Sequence, residues 1–161
     1  MEFRPCVLIV AITIVASLAA QDAQPKRSIT EKDLFDFIWV ANPQVSPDGT
    51  RVAFTRINVD EKKTGYETAI WLVALDGKQN PIRLTSGKHD ASPRWSPDGS
   101  YVAFVRGGEK DETGKPKPGQ LFLLSLNGGE AFAVTDLPKG AGGAVWSPDG
   151  TRIAFLSSTT Q

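Results

Sequence analysis

The chain has 161 residues, and its 18 Lys and Arg side chains are balanced by 18 Asp and Glu side chains. A net charge of zero argues against a nucleic-acid partner, because a surface that binds phosphates requires a basic excess. Hydrophobic residues make up 40% of the chain, as in a soluble globular protein, and the length suits one domain that follows a leader segment.

Residues 1–20 have the pattern of a signal peptide. Arg4 precedes an apolar run over residues 6–20, and Ser17 and Ala19 stand where a signal peptidase reads its −3 and −1 positions. The apolar run is shorter than the roughly 20 residues that a membrane-spanning helix needs. The sequence therefore predicts cleavage and a secreted or periplasmic protein without stable membrane insertion.

Residues 21–44 form an N-terminal segment ahead of the repeats. Residues 21–27 are polar, and the sequence SITEKDLFDF follows. Thr30 suits the N-cap position of a helix, with Asp33 three residues later. This pattern predicts a short helix that packs against the domain behind it.

A short motif then occurs three times, as VSPDGTRVAFTR, WSPDGSYVAFVR and WSPDGTRIAFLS. The first serines of the copies are Ser46, Ser96 and Ser147, so the spacings are 50 and 51 residues. A fixed period of this size indicates a repeat architecture with one supersecondary unit in each period.

Each copy predicts a hairpin. Ser, Pro and Gly suit the first, second and fourth positions of a type I turn, and Gly also accepts the positive φ of the bulge that often follows. The strand after the turn places a large apolar residue on one face and a small one on the other, which predicts a sheet covered on both sides. The alternating residues are Ala53 and Phe54, Ala103 and Phe104, and Ala154 and Phe155.

The rest of each period supplies two more strands. Apolar stretches at 69–75 and 120–126 end in Asp-Gly and Asn-Gly, which are strong hairpin-turn signals. Four-stranded units that repeat radially are the blades of a β-propeller. The predicted fold is therefore an all-β propeller of four-stranded antiparallel blades with a short N-terminal helix. The propeller region covers 45–161, with blades over 45–85 and 95–135, an incomplete third over 146–161, and fourth strands at 82–85 and 132–135.

Two long charged segments, 57–68 and 107–119, fall between the second and third strands and lengthen the period. Their acidic pairs at 60–61 and 111–112 alternate with lysines and lack the pattern of a calcium-binding loop. We interpret both segments as solvated hairpin tips, with contact to a partner domain or to substrate as the alternative.

The sequence contains little that could perform chemistry. It has no G-x-S-x-G nucleophile motif. His89 is the only histidine, and a general-base role together with Asp90 would require a nucleophile nearby; we interpret it as an exposed loop residue. Cys6 is the only cysteine, so no disulfide is expected. The glycine-rich stretch 140–143 precedes a strand and is interpreted as a linker. No catalytic, cofactor-binding or metal-binding residue is predicted, and no cofactor.

Two sets of motif residues have a binding alternative. The aspartates of the turns are interpreted as turn formers rather than ligand sites. The tryptophans before the turns are interpreted as packing between blades rather than as stacking platforms. These residues are Asp48, Asp98 and Asp149, and Trp95 and Trp146.

The stretches ITEKDLFDFIWVANPQVSPDGTRVAFTR, AIWLVALDG, PIRLTSG and ASPRWSPDGSYVAFVR resemble the N-terminal part of secreted bacterial serine peptidases of the prolyl oligopeptidase family. The acylaminoacyl-peptidase or dipeptidyl-peptidase branch is the most similar, and the resemblance runs from about Ser28 to Ser157. It implies a propeller that restricts access to a C-terminal α/β-hydrolase domain with the catalytic Ser, Asp and His, and peptides as substrates. None of those three residues can be assigned here, because no position matches the nucleophile motif.

Two alternatives remain. Non-enzymatic periplasmic propellers such as the Tol-system protein have similar SPDG hairpins, and a short protein could complete its ring by self-association. The longer period and the entry helix favour the peptidase. Propellers have about four to eight blades, so two and a half blades predict the front end of a longer protein.

Overall fold

The computed structural model describes residues 27–158. The predicted signal peptide at 1–20 lies outside these residues. A short 3₁₀ helix, Glu31–Asp36, precedes the strands, and no helix between residues 27 and 158 is long and apolar enough to cross a bilayer. The strands are β1 (Trp39–Val45), β2 (Arg51–Val59), β3 (Tyr66–Ala74), β4 (Ile82–Arg83), β5 (Asp90–Trp95), β6 (Tyr101–Arg106), β7 (Gln120–Ser125), β8 (Phe132–Ala133), β9 (Gly142–Trp146) and β10 (Ile153–Leu156).

The strands form two four-stranded sheets and one hairpin. Strands β1 to β4 make the first sheet in chain order, β5 to β8 make the second, and β9 pairs with β10. Within these sheets the neighbouring strands pair antiparallel, and one isolated parallel bridge joins Thr68 to His89. The first strands of successive units pack against each other, β1 against β5 and β5 against β9. The predicted all-β architecture of four-stranded antiparallel blades is therefore confirmed.

The first strand of each blade contains a bulge. The register shifts within β1, β5 and the β9–β10 pair, and one residue near each shift has a positive φ. These residues are Asn42 at 50°, Ser92 at 58° and Gly143 at 64°. A bulge bends and twists its strand, and it interrupts the alternation of side chains. The sequence pattern therefore did not reveal that β1 begins at Trp39 and β5 at Asp90.

The core lies between the blades. Ala53 and Phe104 have no exposed surface, and they belong to one buried cluster that joins the first sheet to the second. The predicted packing of small residues against large ones is thus present, since the alanine face of the first blade packs in one cluster with the phenylalanine of the second. Phe155, the equivalent of Phe104 in the third hairpin, is 41% exposed.

The N-terminal helix is present at the predicted place, as a 3₁₀ helix in contact with β2. The Thr30 amide donates to Asp33 Oδ2 at 2.6 Å, and the Asp33 amide donates to the Thr30 carbonyl at 3.1 Å. The Asp33 carboxylate thus caps the start of the helix, and the second bond is the first backbone bond of the 3₁₀ helix itself. Leu34 and Phe35 remain 52% and 43% exposed.

The two charged segments differ in structure. The predicted loop at 57–68 is too long, because β2 and β3 stay paired as far as Val59 and Tyr66 and only residues 60–65 form the turn. Ile57, Val59 and Tyr66 favour strands. The segment 107–119 is a loop as predicted, with one isolated bridge between Lys110 and Pro116.

Candidate functional site

The SPDG turns are closed by their own side chains. In the second copy the Gly99 amide donates to the Ser96 carbonyl at 2.9 Å, which is the bond of a type I turn. The Tyr101 amide donates to Ser96 Oγ at 2.9 Å, and that hydroxyl donates to Asp98 Oδ1 at 2.5 Å. The turns that begin at Ser46 and Ser147 have the same bonds.

These bonds favour the ionised form of the turn aspartates. They lower the pKa of Asp48, Asp98 and Asp149 from 3.8 to about 2. The Ser100 hydroxyl is the largest cause for Asp98, and the first serine of the turn is the largest cause for the other two. Each carboxylate also accepts a backbone N–H of its own turn. The structure therefore agrees with their interpretation as turn formers.

The tryptophans before the turns connect successive blades. Trp95 Nε1 donates to the Gln44 carbonyl at 2.9 Å, and Trp146 Nε1 donates to the Arg94 carbonyl at 3.2 Å. Both acceptors precede a turn in the preceding blade. Both indole rings are half-buried, so inter-blade packing is confirmed as their role. The turns are stacked too, since Gly99 faces Pro47 and Gly150 faces Pro97.

Asp90 is unavailable to His89. The Asp90 side chain has no exposed surface and accepts two hydrogen bonds from the Arg106 guanidinium, at 2.7 and 2.9 Å. This pair raises the pKa of Arg106 through the hydrogen bond to Asp90. The His89 side chain is exposed, as predicted. The ion pair could not be predicted from the sequence, because its partners meet only through the β5–β6 register.

His89 lies at the edge of a cleft of about 740 Å³ between the connection that precedes β5 and the loop at 107–119. Ser86 also lines this cleft, but no hydrogen bond joins its hydroxyl to His89 among residues 27–158. Lys110 and Lys117 contribute positive charge to the lining. The cleft is cationic but contains no assembled nucleophile and base.

The carboxylates of the hairpin tips stabilise their own turns. Asp60 Oδ1 accepts the Thr64 amide at 2.9 Å, and Asp111 Oδ1 accepts the Thr113 amide at 2.8 Å. The Thr64 amide is the largest cause of the lowered pKa of Asp60, and the Thr113 hydroxyl is the largest cause for Asp111. Neither tip forms a metal site, and no cluster of three metal-binding side chains occurs in the described part of the chain.

The glycine-rich stretch at 140–143 connects two blades. The Ala141 amide donates to the Gly119 carbonyl at 2.8 Å, and Gly140 packs so closely on that carbonyl that a side chain would collide with it. Strand β9 begins at Gly142. The stretch leads into a strand, in agreement with its interpretation as a linker.

A second groove, of about 430 Å³, lies where the 3₁₀ helix meets the β2–β3 hairpin. Trp39 and Tyr66 line it with exposed aromatic rings, and Lys63 is also part of its wall. The sequence did not predict this groove. Two signals were available in the sequence: the density of aromatic residues from Phe35 to Trp39, and the strand-favouring residues Ile57 and Val59.

No family model matches the chain. It is 37% identical over 133 residues to the uncharacterised peptidase YuxL of Bacillus subtilis, and 25% identical over 140 residues to dipeptidyl-peptidase 5 of Porphyromonas endodontalis. The alignments cover 83% and 85% of this chain. The chain spans only 19% of the length of each of these curated relatives.

Solved structures share the fold. An acylaminoacyl peptidase of Pyrococcus horikoshii superposes with a TM-score of 0.57 at 21% identity, over 76% of this chain and 17% of that one. The β-propeller domain of a trilobed protease of Pyrococcus furiosus gives 0.56 at 21% identity, over 74% and 33%. TolB of Acinetobacter baumannii gives 0.55 at 24% identity, over 73% and 26%.

The resemblance to peptidases in the sequence is thus confirmed, since curated peptidases align with most of the chain and peptidase propellers share its fold. TolB shares the fold as well. The chain is a β-propeller segment that is similar in sequence to curated peptidases and shares its fold with the propellers of peptidases and of TolB.

Proposed function

We propose that the chain is the propeller part of an exported serine peptidase that hydrolyses short peptides. The observation that carries this proposal is the 37% identity to the peptidase YuxL over most of the chain. In the proposed protein the catalytic Ser, Asp and His belong to an α/β-hydrolase domain that lies C-terminal to the propeller. Export is proposed from the leader pattern of residues 1–20.

The propeller would act by gating. Its side chains stabilise turns and blade contacts, and the cleft at His89 holds no nucleophile bonded to a base among the described residues. A stiff ring with closely packed blades excludes folded proteins by size and admits short chains. This role needs no reactive side chain in the propeller.

The test uses the full-length natural protein. We expect a serine-directed phosphonate probe to label it, and we expect hydrolysis of a short chromogenic peptide but not of the same sequence inside a folded protein. N-terminal sequencing of the exported protein should begin close to Gln21. Absence of both labelling and hydrolysis would overturn the peptidase proposal.

A second candidate is a non-enzymatic binding propeller. The TM-score with TolB, 0.55, is close to the 0.57 with the acylaminoacyl peptidase, and fold alone does not determine function. This candidate predicts a protein that the phosphonate probe leaves unlabelled and that is recovered from the periplasm in a stable complex.

A further inference from the structure

Aromatic rings are exposed together at the entry to the first blade. Phe37 and Trp39 meet edge to face with centroids 6.1 Å apart, and Trp39 and Tyr66 do so at 5.6 Å. Trp39 is 40% exposed and Tyr66 is 58% exposed. Edge-to-face contacts fix the orientation of the rings, so they form an ordered apolar surface.

The rings of Trp39 and Tyr66 form part of the wall of the groove of about 430 Å³ described above. Leu34 and Phe35 come from the 3₁₀ helix, Trp39 comes from β1, and Val59 and Tyr66 come from the two sides of the β2–β3 hairpin. A volume in this range is typical of small-ligand sites. The groove depends on the paired extension of β2 and β3, which carries Val59 and Tyr66 beyond the point where Trp39 begins β1.

Among residues 27–158, Lys63 is the only charged residue that lines the groove. It has a φ of 57°, a conformation that non-glycine residues adopt rarely and at some cost. The turn holds it there, since its amide donates to the Asp60 carbonyl at 3.0 Å. Its ammonium group lies 4.8 Å from the centroid of the Phe35 ring. No salt bridge involves Lys63 among residues 27–158.

The equivalent cleft of the second blade has different chemistry. One period after Trp39, Val59 and Tyr66 stand His89, Glu109 and Lys117, which line the cleft of about 740 Å³. The same position between entry segment and hairpin is therefore polar in the second blade and aromatic in the first. The aromatic lining is thus specific to blade one, and is not a requirement of the fold.

We infer that the blade-one groove binds the C-terminal residue of a peptide. The apolar side chain of that residue lies against Trp39 and Tyr66, and its carboxylate pairs with the Lys63 ammonium. The Lys63 ammonium is exposed beside the apolar wall, so it attracts a carboxylate that is bound there and repels a basic ligand. This inference goes beyond the proposed function, because it requires binding but no hydrolysis.

The test is a titration of the full-length natural protein, treated with the phosphonate probe so that no peptide is consumed. The ligands are N-acetyl-glycyl-phenylalanine and its C-terminal amide. Their binding is measured by calorimetry and by Trp fluorescence. We expect the amide to bind roughly fivefold more weakly, the value of one partly exposed ion pair. Tyr66→Ala should weaken binding of the acid about tenfold through loss of the aromatic contact.

Two lysine variants give a matched control. Lys63→Gln should lower the affinity for the acid to that for the amide, whereas Lys62→Gln, one residue away and outside the groove lining, should leave it unchanged. Equal affinities for acid and amide, no saturable binding, or indifference of binding to Tyr66→Ala and Lys63→Gln would each overturn the inference. Labelling by the phosphonate probe tests the peptidase proposal separately, so the two can fail independently.

Discussion

The first and second blades share the register of their first two strands but differ in one pair of residues that face each other across it. The register of β1 on β2 and of β5 on β6 is equivalent, including the bulge. At matching positions Val40 faces Arg56 in the first blade, and Asp90 faces Arg106 in the second. One arginine therefore neutralises a fully buried carboxylate, and the other has no acid opposite it.

The two arginines share a second contact that makes the comparison informative. The Arg56 guanidinium lies 4.4 Å from the centroid of Trp71, and the Arg106 guanidinium lies 4.8 Å from that of Phe122. Stacking on an aromatic ring is therefore common to both blades, and the ion pair is an addition in the second. The difference shows that the same backbone position can serve packing in one blade and charge compensation in the next.

The largest expected effect is that of Arg106→Ala. It leaves the buried Asp90 carboxylate without its partner, and we expect the free energy of unfolding to fall by about 3–5 kcal/mol. Arg56→Ala removes a cation–π contact and should cost only about 0.5–2 kcal/mol. Chemical denaturation of the full-length natural protein measures both.

Asp90→Val is the matched control, because it gives the second blade the residue pair of the first. The arginine that remains is 25% exposed and keeps its contact with Phe122, whereas Arg106→Ala leaves a carboxylate with no exposed surface, so Asp90→Val should lose less stability than Arg106→Ala. Equal losses in the two arginine variants would show that the ion pair contributes nothing beyond stacking.

A smaller loss of stability is expected for Trp95→Val. This variant places before the second turn the valine that stands at the equivalent position, Val45, before the first. It removes the hydrogen bond to the Gln44 carbonyl and most of the ring packing, and should cost about 2–3 kcal/mol. Val45 is 59% exposed, so Val45→Trp should change stability by less than about 0.5 kcal/mol. Thermal unfolding of both variants checks this, and similar shifts would contradict the assigned role of Trp95 in joining the blades.

The smallest expected effect is on the pH dependence of stability, and it concerns the turn aspartates that both blades contain. The pKa of Asp48 and of Asp98 is lowered on folding from 3.8 to about 2. The stability that each contributes is therefore complete above about pH 4 and is lost as the pH falls through about 2. Asp48→Asn and Asp98→Asn should each make the loss of stability between these pH values shallower, and to the same extent. Denaturation midpoints measured over this range would show any inequality between the blades.

The turns were predictable because their chemistry is local. Ser96, Pro97, Asp98 and Gly99 define the hairpin within four residues, and the alternation of Ala103 and Phe104 indicated packing on both faces. The Asp90–Arg106 pair was not predictable, since its partners are brought together by a register that depends on the bulge at Ser92.

The candidate groove was harder to predict for a similar reason. Trp39 and Tyr66 become neighbours only because β2 and β3 remain paired through a stretch that reads as a charged loop. Local strand preference at Ile57 and Val59 was the available signal, and the surrounding Asp, Glu and Lys residues obscured it. Side chains that meet across a sheet leave no fixed spacing in the sequence.

The indole bonds between blades have a direction. Trp95 and Trp146 each donate to a carbonyl that lies earlier in the chain. During synthesis the acceptor therefore leaves the ribosome before its donor. We expect each new blade to find its acceptor carbonyl already synthesised, so that the propeller assembles from its N-terminal end.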